Sequence, residues 1–116
     1  MQMKTHKNIR LTPKQREAIL KLREQIALSF DLTEFTMFGS VARGEADAES
    51  DLDILVVTTS PFNRTTRHLI TDMVCAINLF YETNMSTLVV DERTWHNGLY
   101  SVLPIHEKIL RDGVLV

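Results

Sequence analysis

Apolar residues recur at helical spacing near the start of the chain, at Ile19, Leu22, Ile26 and Phe30. The residues before them suit a helix start, because Thr12 can cap the helix, Pro13 fits its first turn and Gln15 can complete a capping box. The pattern therefore predicts an amphipathic helix over residues 13–29.

Three short segments favour β-structure. Residues 35–38 are β-prone, residues 51–57 become fully apolar in their second half, and residues 86–90 are rich in β-formers. The small and acidic residues of 41–50 indicate a short helix and a loop between the first two strands.

Two longer helices are expected in the second half of the chain. One begins at Ser60-Pro61. Its predicted apolar face is formed by Leu69, Met73, Ile77 and Phe80, and Ile70, Val74 and Tyr81 lie beside that face. After a short helical segment at 91–100, the other begins at Pro104 and can end at Gly113 as a C-cap. This order of helices and strands predicts an α/β domain with a small mixed sheet of three to four strands flanked by helices.

The composition is that of one folded domain. The 116 residues are 44% hydrophobic and 24% charged, and no repeat or Pro/Gly-rich linker divides them. We therefore expect a single domain over residues 1–116, with its core reaching to residue 113. The single Cys75 allows no internal disulfide and no apolar run could span a bilayer, so we expect a cytoplasmic protein with no membrane partner.

The formal net charge of −2 argues against nucleic-acid binding through bulk charge. This total conceals a split along the chain. Residues 1–30 hold seven basic and two acidic side chains, a net charge of +5, whereas residues 31–53 hold one basic and seven acidic side chains, a net charge of −6. A solvated helix face accounts for the basic segment, but the acidic block needs another explanation.

Two of these acids, Asp51 and Asp53, lie two positions apart on a predicted strand. Strand alternation places both carboxylates on one face, with their Cα atoms about 6–7 Å apart. Burying the pair without a cation would cost several kcal/mol in repulsion and desolvation, and Mg2+ with its preference for oxygen ligands would offset both. The pattern therefore predicts a cation site.

Gly39 and Ser40 stand upstream of the acidic pair, directly after one predicted strand and before a predicted short helix. A small residue in that place lets backbone N–H groups approach a phosphate, and the Ser40 hydroxyl adds a donor. Either feature alone is weak evidence, but together they indicate a site for a phosphate and a metal.

Gly39-Ser40, ten intervening residues and Asp51-Leu52-Asp53 resemble the G-S-X10-D-X-D motif of the DNA polymerase β-like nucleotidyltransferases. The fuller string, Phe38 to Gly44 and Ser50 to Asp53, is similar to the minimal nucleotidyltransferase (MNT) branch of that superfamily, and in particular to its antitoxin type. The resemblance extends over residues 12–113 and implies the nucleotidyltransferase fold.

The resemblance implies transfer of a nucleoside monophosphate from an NTP to an acceptor hydroxyl, with pyrophosphate leaving, and transfer of AMP from ATP is favoured. Asp51 and Asp53 would be the catalytic residues and would bind Mg2+, two ions in the family scheme, while Gly39 and Ser40 would hold the triphosphate. Arg43 matches the A-R-G segment of the family and would be nucleotide-binding; an ion pair within the acidic block is the alternative for it.

One departure from the family pattern concerns a third carboxylate, which active members of the superfamily usually supply from a neighbouring strand. The aligned position in this chain is Ser86. Asp91, at the end of the same predicted strand, and Glu82 are weaker candidates. The third ligand could also come from a partner.

Small proteins of this family often pair with a helical HEPN-domain protein, and in several pairs the MNT member is an antitoxin that AMPylates a tyrosine of its toxin. The resemblance therefore implies such a partner and a hetero-oligomer, with a homo-oligomer left open and direct nucleic-acid binding disfavoured. The alternative is a nucleotide-binding or protein-binding subunit with weak or no activity, which Ser86 favours. Transfer to a small molecule such as an aminoglycoside is a third, weaker hypothesis, because we expect no second domain to hold that substrate.

Two other side chains have structural explanations. Cys75 lies among Met73, Val74 and Ile77 on a predicted helix, which favours a buried small hydrophobe over a nucleophile. For Trp95, core packing is favoured over stacking on an adenine or anchoring a partner.

Overall fold

A five-stranded mixed sheet with helices on both faces organises the computed structural model, which describes residues 4–5, 11–39, 42, 51–61 and 63–116. The elements are, in chain order, β1 Lys4–Thr5, α1 Pro13–Ser29, β2 Leu32–Phe38, β3 Leu52–Thr58, α2 Arg64–Tyr81, β4 Met85–Asp91, α3 Glu92–His96, a 3-10 turn at Leu99–Val102, α4 Pro104–Asp112 and β5 Val114–Leu115. The predicted α/β class is confirmed. The three seven-residue strands correspond to the three predicted segments, and the two-residue strands β1 and β5, which the sequence pattern did not predict, extend one edge of the sheet to five strands in all.

The strand order across the sheet is β1-β5-β2-β3-β4. Strand β2 is antiparallel to both β5 and β3, whereas β3 and β4 are parallel and are connected through α2. The apolar strand β3 is thus hydrogen-bonded on both sides, which agrees with the burial of most of its residues.

Alternate residues of the strands contribute to two separate cores. One face packs against α1 and α2, and its buried cluster includes Ile54, Val56, Leu22 and Ile70. The other face packs against α3 and α4 through Leu55, Val57, Val90, Trp95 and Ile109. Trp95 is therefore a core residue, as the sequence favoured, and is only 1% exposed.

Helix α1 has the predicted bounds and the predicted cap. The Gln15 backbone N–H donates to Thr12 Oγ1 at 3.0 Å, and the Thr12 N–H donates to Gln15 Oε1 at 2.9 Å. This reciprocal pair satisfies two of the backbone donors that a helix start leaves without partners.

Helix α2 begins later than predicted, at Arg64 instead of Ser60-Pro61, because Asn63 caps it by accepting the Thr66 N–H at 2.9 Å. Its buried face also differs from the prediction. Ile70, Val74 and Ile77 form it, while Leu69 and Phe80 are exposed. The apolar residues of α2 extend around more of the helix surface than the sheet can cover. Hydrophobic periodicity alone therefore could not identify which of them pack on the sheet.

Cys75 is exposed, and the expectation of a buried thiol was wrong. It follows the buried Val74 along the helix, and successive helical residues point in directions about 100° apart. Apolar neighbours in the sequence therefore did not imply an apolar environment.

Gly113 ends α4 as the predicted C-cap, with its N–H donating to the Ile109 carbonyl at 2.8 Å. Its φ of −64° is one that any residue adopts, so the reason for glycine is space. A Cβ at Gly113 would overlap the Ile109 carbonyl oxygen and would lie 2.7 Å from Thr36 Cγ2. This close approach lets the chain pass from α4 directly into β5 beside β2.

None of the helices in the described ranges is both long enough and apolar enough to cross a membrane. The predicted short helix within 41–50 lies outside the described residues except for Ala42, which is buried in a turn.

Candidate active site

Asp53 stands at the start of β3, on the sheet face that α4 covers. Its alternation partners Leu55 and Val57 belong to the core on that face, whereas Leu52 and Ile54 belong to the other core. Asp53 itself is half-buried and lines a pocket beside α4. The apolar residues thus direct the adjacent carboxylate towards a cavity.

Asp51 lies one residue before β3 and is exposed. The next residue, Leu52, is fixed in place, since its N–H donates to the Asn84 carbonyl at 2.9 Å and its side chain is fully buried. The strand begins one residue later than predicted, so Asp51 precedes the sheet instead of lying within it.

Gly39 follows β2 and lies directly against the Asp53 carboxylate. Antiparallel register pairs Phe38 with Asp53, which brings the next residue, Gly39, beside the start of β3. Gly39 has a φ of +83°, and a Cβ built on it would overlap Asp53 Oδ2. Both the left-handed backbone and the lack of space require glycine here.

The pocket that Gly39 and Asp53 line has a volume of about 290 Å³. One wall is Gly39 and Asp53, and the opposite wall is α4, with Ile105, Lys108 and Asp112. The α4 residues follow helical spacing, but only tertiary structure brings this helix face to Asp53. Sequence reasoning did not identify Lys108 or Asp112 as site residues.

Ser86 is the register partner of Asp53 on the parallel strand β4, and it is exposed. Neighbouring strands are about 4.8 Å apart, and register partners point to the same face. The aligned position of the third carboxylate is therefore adjacent to Asp53 in space, and it holds a hydroxyl.

Asp91 does not belong to this site. It pairs with Thr58 at the other end of β4, five residues beyond Ser86 or about 16 Å along the strand. Its carboxylate caps α3, since Thr94 donates its hydroxyl to Oδ1 at 2.6 Å and its N–H to Oδ2 at 3.0 Å. These two hydrogen bonds lower the pKa of Asp91, and the bond from the Thr94 side chain has the larger effect. The structure thus rules Asp91 out as a ligand beside Asp53.

Glu82 is also engaged elsewhere. Its carboxylate lies 3.5 Å from Lys14 Nζ at the start of α1, and both side chains are exposed. Of the other predicted site residues, Ser40 and Arg43 lie outside the described residues.

The described residues contain no cluster of three or more His, Cys, Asp or Glu side chains that could enclose a metal ion. Mg2+ does not need such a cage, because it usually keeps several waters and binds through one or two carboxylates together with substrate phosphates. Asp51 and Asp53 supply two carboxylates of the kind that this coordination uses.

The sequence profile of the nucleotidyltransferase domain family matches residues 16–100, a span that includes Gly39, Asp51, Asp53 and Ser86. The chain belongs to this family. A comparison with curated proteins gives no match.

Three solved structures share the fold of this nucleotidyltransferase domain. One, described as a minimal nucleotidyltransferase, has a TM-score of 0.58 at 24% identity, over 87% of this chain and 91% of that one. A toxin–antitoxin structure with AMP-PNP has a TM-score of 0.57 at 16% identity, over 90% and 72% of the two chains. A mutant of the MntA–HpeT toxin–antitoxin pair has a TM-score of 0.54 at 18% identity, over 87% and 70%. The likeness confirms the predicted nucleotidyltransferase fold.

The contact between Gly39 and Asp53 predicts the effect of a single methyl group. Gly39→Ala should lower the free energy of unfolding by about 1–2 kcal/mol, because an L-residue is strained at positive φ. The methyl group should also displace the Asp53 carboxylate and weaken nucleotide binding in the presence of Mg2+. Urea unfolding and nucleotide titration measure the two effects. Unchanged stability together with unchanged binding would contradict the described geometry.

The capping role of Asp91 predicts a contrast between two substitutions. Asp91→Ala should lower stability by about 1 kcal/mol, whereas Asp91→Asn should retain the cap near neutral pH, because both residue types cap well. Because the pKa of Asp91 is lowered in the folded state, its carboxylate stabilises the fold at pH values above 3.8, the ordinary pKa of an aspartate. This contribution is lost as the pH falls through the folded-state pKa. Thermal unfolding from pH 7 to pH 2 measures it. Loss of Mg2+ binding in Asp91→Asn would instead point to a ligand role.

Proposed function

We propose that this protein transfers AMP from ATP, with Mg2+, to the hydroxyl of a tyrosine in a HEPN-type toxin partner, and so acts as the antitoxin of the pair. The observation that carries the proposal is the packing of Gly39 against Asp53 in the wall of a pocket, with Asp51 one position before the strand. The toxin–antitoxin structures that share the fold support the choice of partner, one of them holding AMP-PNP.

Each residue has a distinct part in this reaction. Asp51 and Asp53 would hold the metal, and Gly39, Ser40 and Arg43 remain proposed nucleotide contacts from the sequence motif. Bound Mg2+ would neutralise phosphate charge and polarise the α-phosphoryl group.

The transfer forms one bond and breaks another at the α-phosphorus. The acceptor oxygen bonds to phosphorus, and the bond to the oxygen that bridges the α- and β-phosphates breaks, so that its electron pair leaves with pyrophosphate. The hydroxyl proton passes to a carboxylate of the site or to water. Asp53 is half-buried and lines the pocket beside Gly39, and we assign it that role.

Ser86 beside Asp53 favours a second candidate function, a nucleotide-binding subunit with weak or no transfer activity. Such a subunit would still bind nucleotide at Gly39 and the acidic pair. It would lack the additional carboxylate that helps to hold the catalytic metal and to activate the acceptor.

A transfer assay separates the two candidates. Protein incubated with Mg2+, ATP labelled at the α-phosphate and the product of the neighbouring gene should label a tyrosine of that product. Asp51→Asn and Asp53→Asn should each reduce the rate by about 10²–10³-fold, as expected for loss of a group that stabilises transition-state charge. Asp72→Asn, an exposed acid on α2, is the matched control and should retain the wild-type rate.

Two results would count against the transfer proposal. One is nucleotide binding without label on the partner, which favours the subunit candidate. The other is a labelling rate in Asp53→Asn equal to that of Asp72→Asn.

The position of Ser86 predicts that a third carboxylate can be restored. Ser86→Asp should raise the transfer rate by about 10²-fold, the contribution of a positioned acid or base, and should lower the Mg2+ concentration for half-maximal rate. Without Mg2+ the added charge beside Asp53 should lower the melting temperature, and Mg2+ should reverse this loss. Ser86→Asn is the uncharged control of the same size. Equal rates and equal Mg2+ dependence in the two variants would contradict this role for the position.

A further inference from the structure

Lys108 is a positively charged side chain on the wall of the active-site pocket. It lies in the middle of α4, with Ile105 one turn before it and Asp112 one turn after it on the same helix face. Gly39 and Asp53 line the same pocket from the sheet. A ligand group seated against Gly39 therefore shares a cavity of about 290 Å³ with Lys108.

The charges around this pocket distinguish Lys108 from the next basic residue of α4. Arg111 is paired with Asp112, with Nη2 and Oδ2 3.3 Å apart, and this hydrogen bond raises the pKa of Arg111. Lys108 has no ion-pair partner among the residues that the structure describes, and its side chain is exposed. Its ammonium group is therefore available to a ligand in the pocket.

The chemistry of the pocket selects the ligand group. Asp53 and Asp112 are acidic, so the pocket repels a phosphate chain unless cations accompany it. Mg2+ at Asp51 and Asp53 would supply one cation, and Lys108 supplies another from the opposite wall. Lysine binds phosphate as a compact point charge with three donors, which suits the end of a flexible polyphosphate chain.

We propose that Lys108 binds the β- and γ-phosphates of the nucleotide and thereby selects triphosphates over monophosphates. This inference rests on the proposed function, because it places the α-phosphate at the acidic pair and the rest of the chain along Gly39. When the bond between the α-phosphorus and the bridging oxygen breaks, negative charge moves to the pyrophosphate, and Lys108 stabilises that charge. Lys108 thus acts on both binding and the leaving group.

Equilibrium binding tests the inference without catalysis. The probes are a non-transferable ATP analogue with a methylene group between its α- and β-phosphates, pyrophosphate, and AMP, each titrated by calorimetry in the presence of Mg2+. Lys108→Met should weaken binding of the ATP analogue and of pyrophosphate about tenfold, since a contact to a charged group is lost, and should leave AMP binding unchanged. Lys108→Arg keeps the charge and should retain most of the affinity.

The matched control is Lys21→Met, which removes an exposed lysine from α1 on the other face of the sheet. The control should bind all three probes as wild type does. The inference is overturned if Lys108→Met binds the analogue and pyrophosphate as tightly as the control does. It is also overturned if AMP binding falls as much as binding of the analogue, because that result indicates general damage to the pocket.

Wild-type binding separates this inference from the proposed function. If the wild-type protein binds neither the analogue nor pyrophosphate, the proposed function fails and the role of Lys108 fails with it. If the wild type binds both and Lys108→Met is indistinguishable from it, only the role of Lys108 fails.

Discussion

Strand β3 is hydrogen-bonded to β2 on one side and to β4 on the other, and these two registers determine what surrounds Asp53. The antiparallel register with β2 pairs Phe38 with Asp53 and so brings Gly39 against the carboxylate. The parallel register with β4 places Ser86 on the other side. A slip of one residue would turn Asp53 into the opposite core, so the apolar residues of β3 fix the register and thereby the site.

One face of the sheet is an apolar core along the whole of β3, whereas the other face holds both a core and the candidate active site. The face covered by α1 and α2 is apolar along β3, and it extends to Leu52 at the very start of the strand. On the other face the core formed with Trp95 and Ile109 stops at Leu55, and Asp53 takes the next position. The pocket exists because α4 covers the core residues of this face but does not cover Asp53. A helix that holds the sheet thus also supplies the second wall of the site.

The acidic side chains of residues 31–53 have different environments in the structure. Asp53 lines the pocket, Asp51 is exposed one residue before β3, and Glu34 Oε2 lies 3.3 Å from His96 Nε2 on the same sheet face as Asp53. Lys108 and Asp112 from the other end of the chain join the pocket. Local charge at the site therefore depends on which helix packs there, and the net charge of −2 does not describe it.

The sequence by itself determined the order of the three long strands and of the helices in the described residues, the start of α1 at its capping box, and the motif that contains Gly39 and Asp53, because caps, alternation and short motifs are local properties of the chain. It did not indicate the two-residue strands β1 and β5, which depend on pairing between distant segments. It was wrong on the burial of Cys75 and on which stripe of α2 packs, because an apolar helix offers more than one face to a sheet. Only tertiary structure excluded Asp91, which caps α3 at the far end of β4, and brought Lys108 to the pocket. Both outcomes depend on register and helix docking, which join residues distant in the chain through contacts that no local pattern encodes.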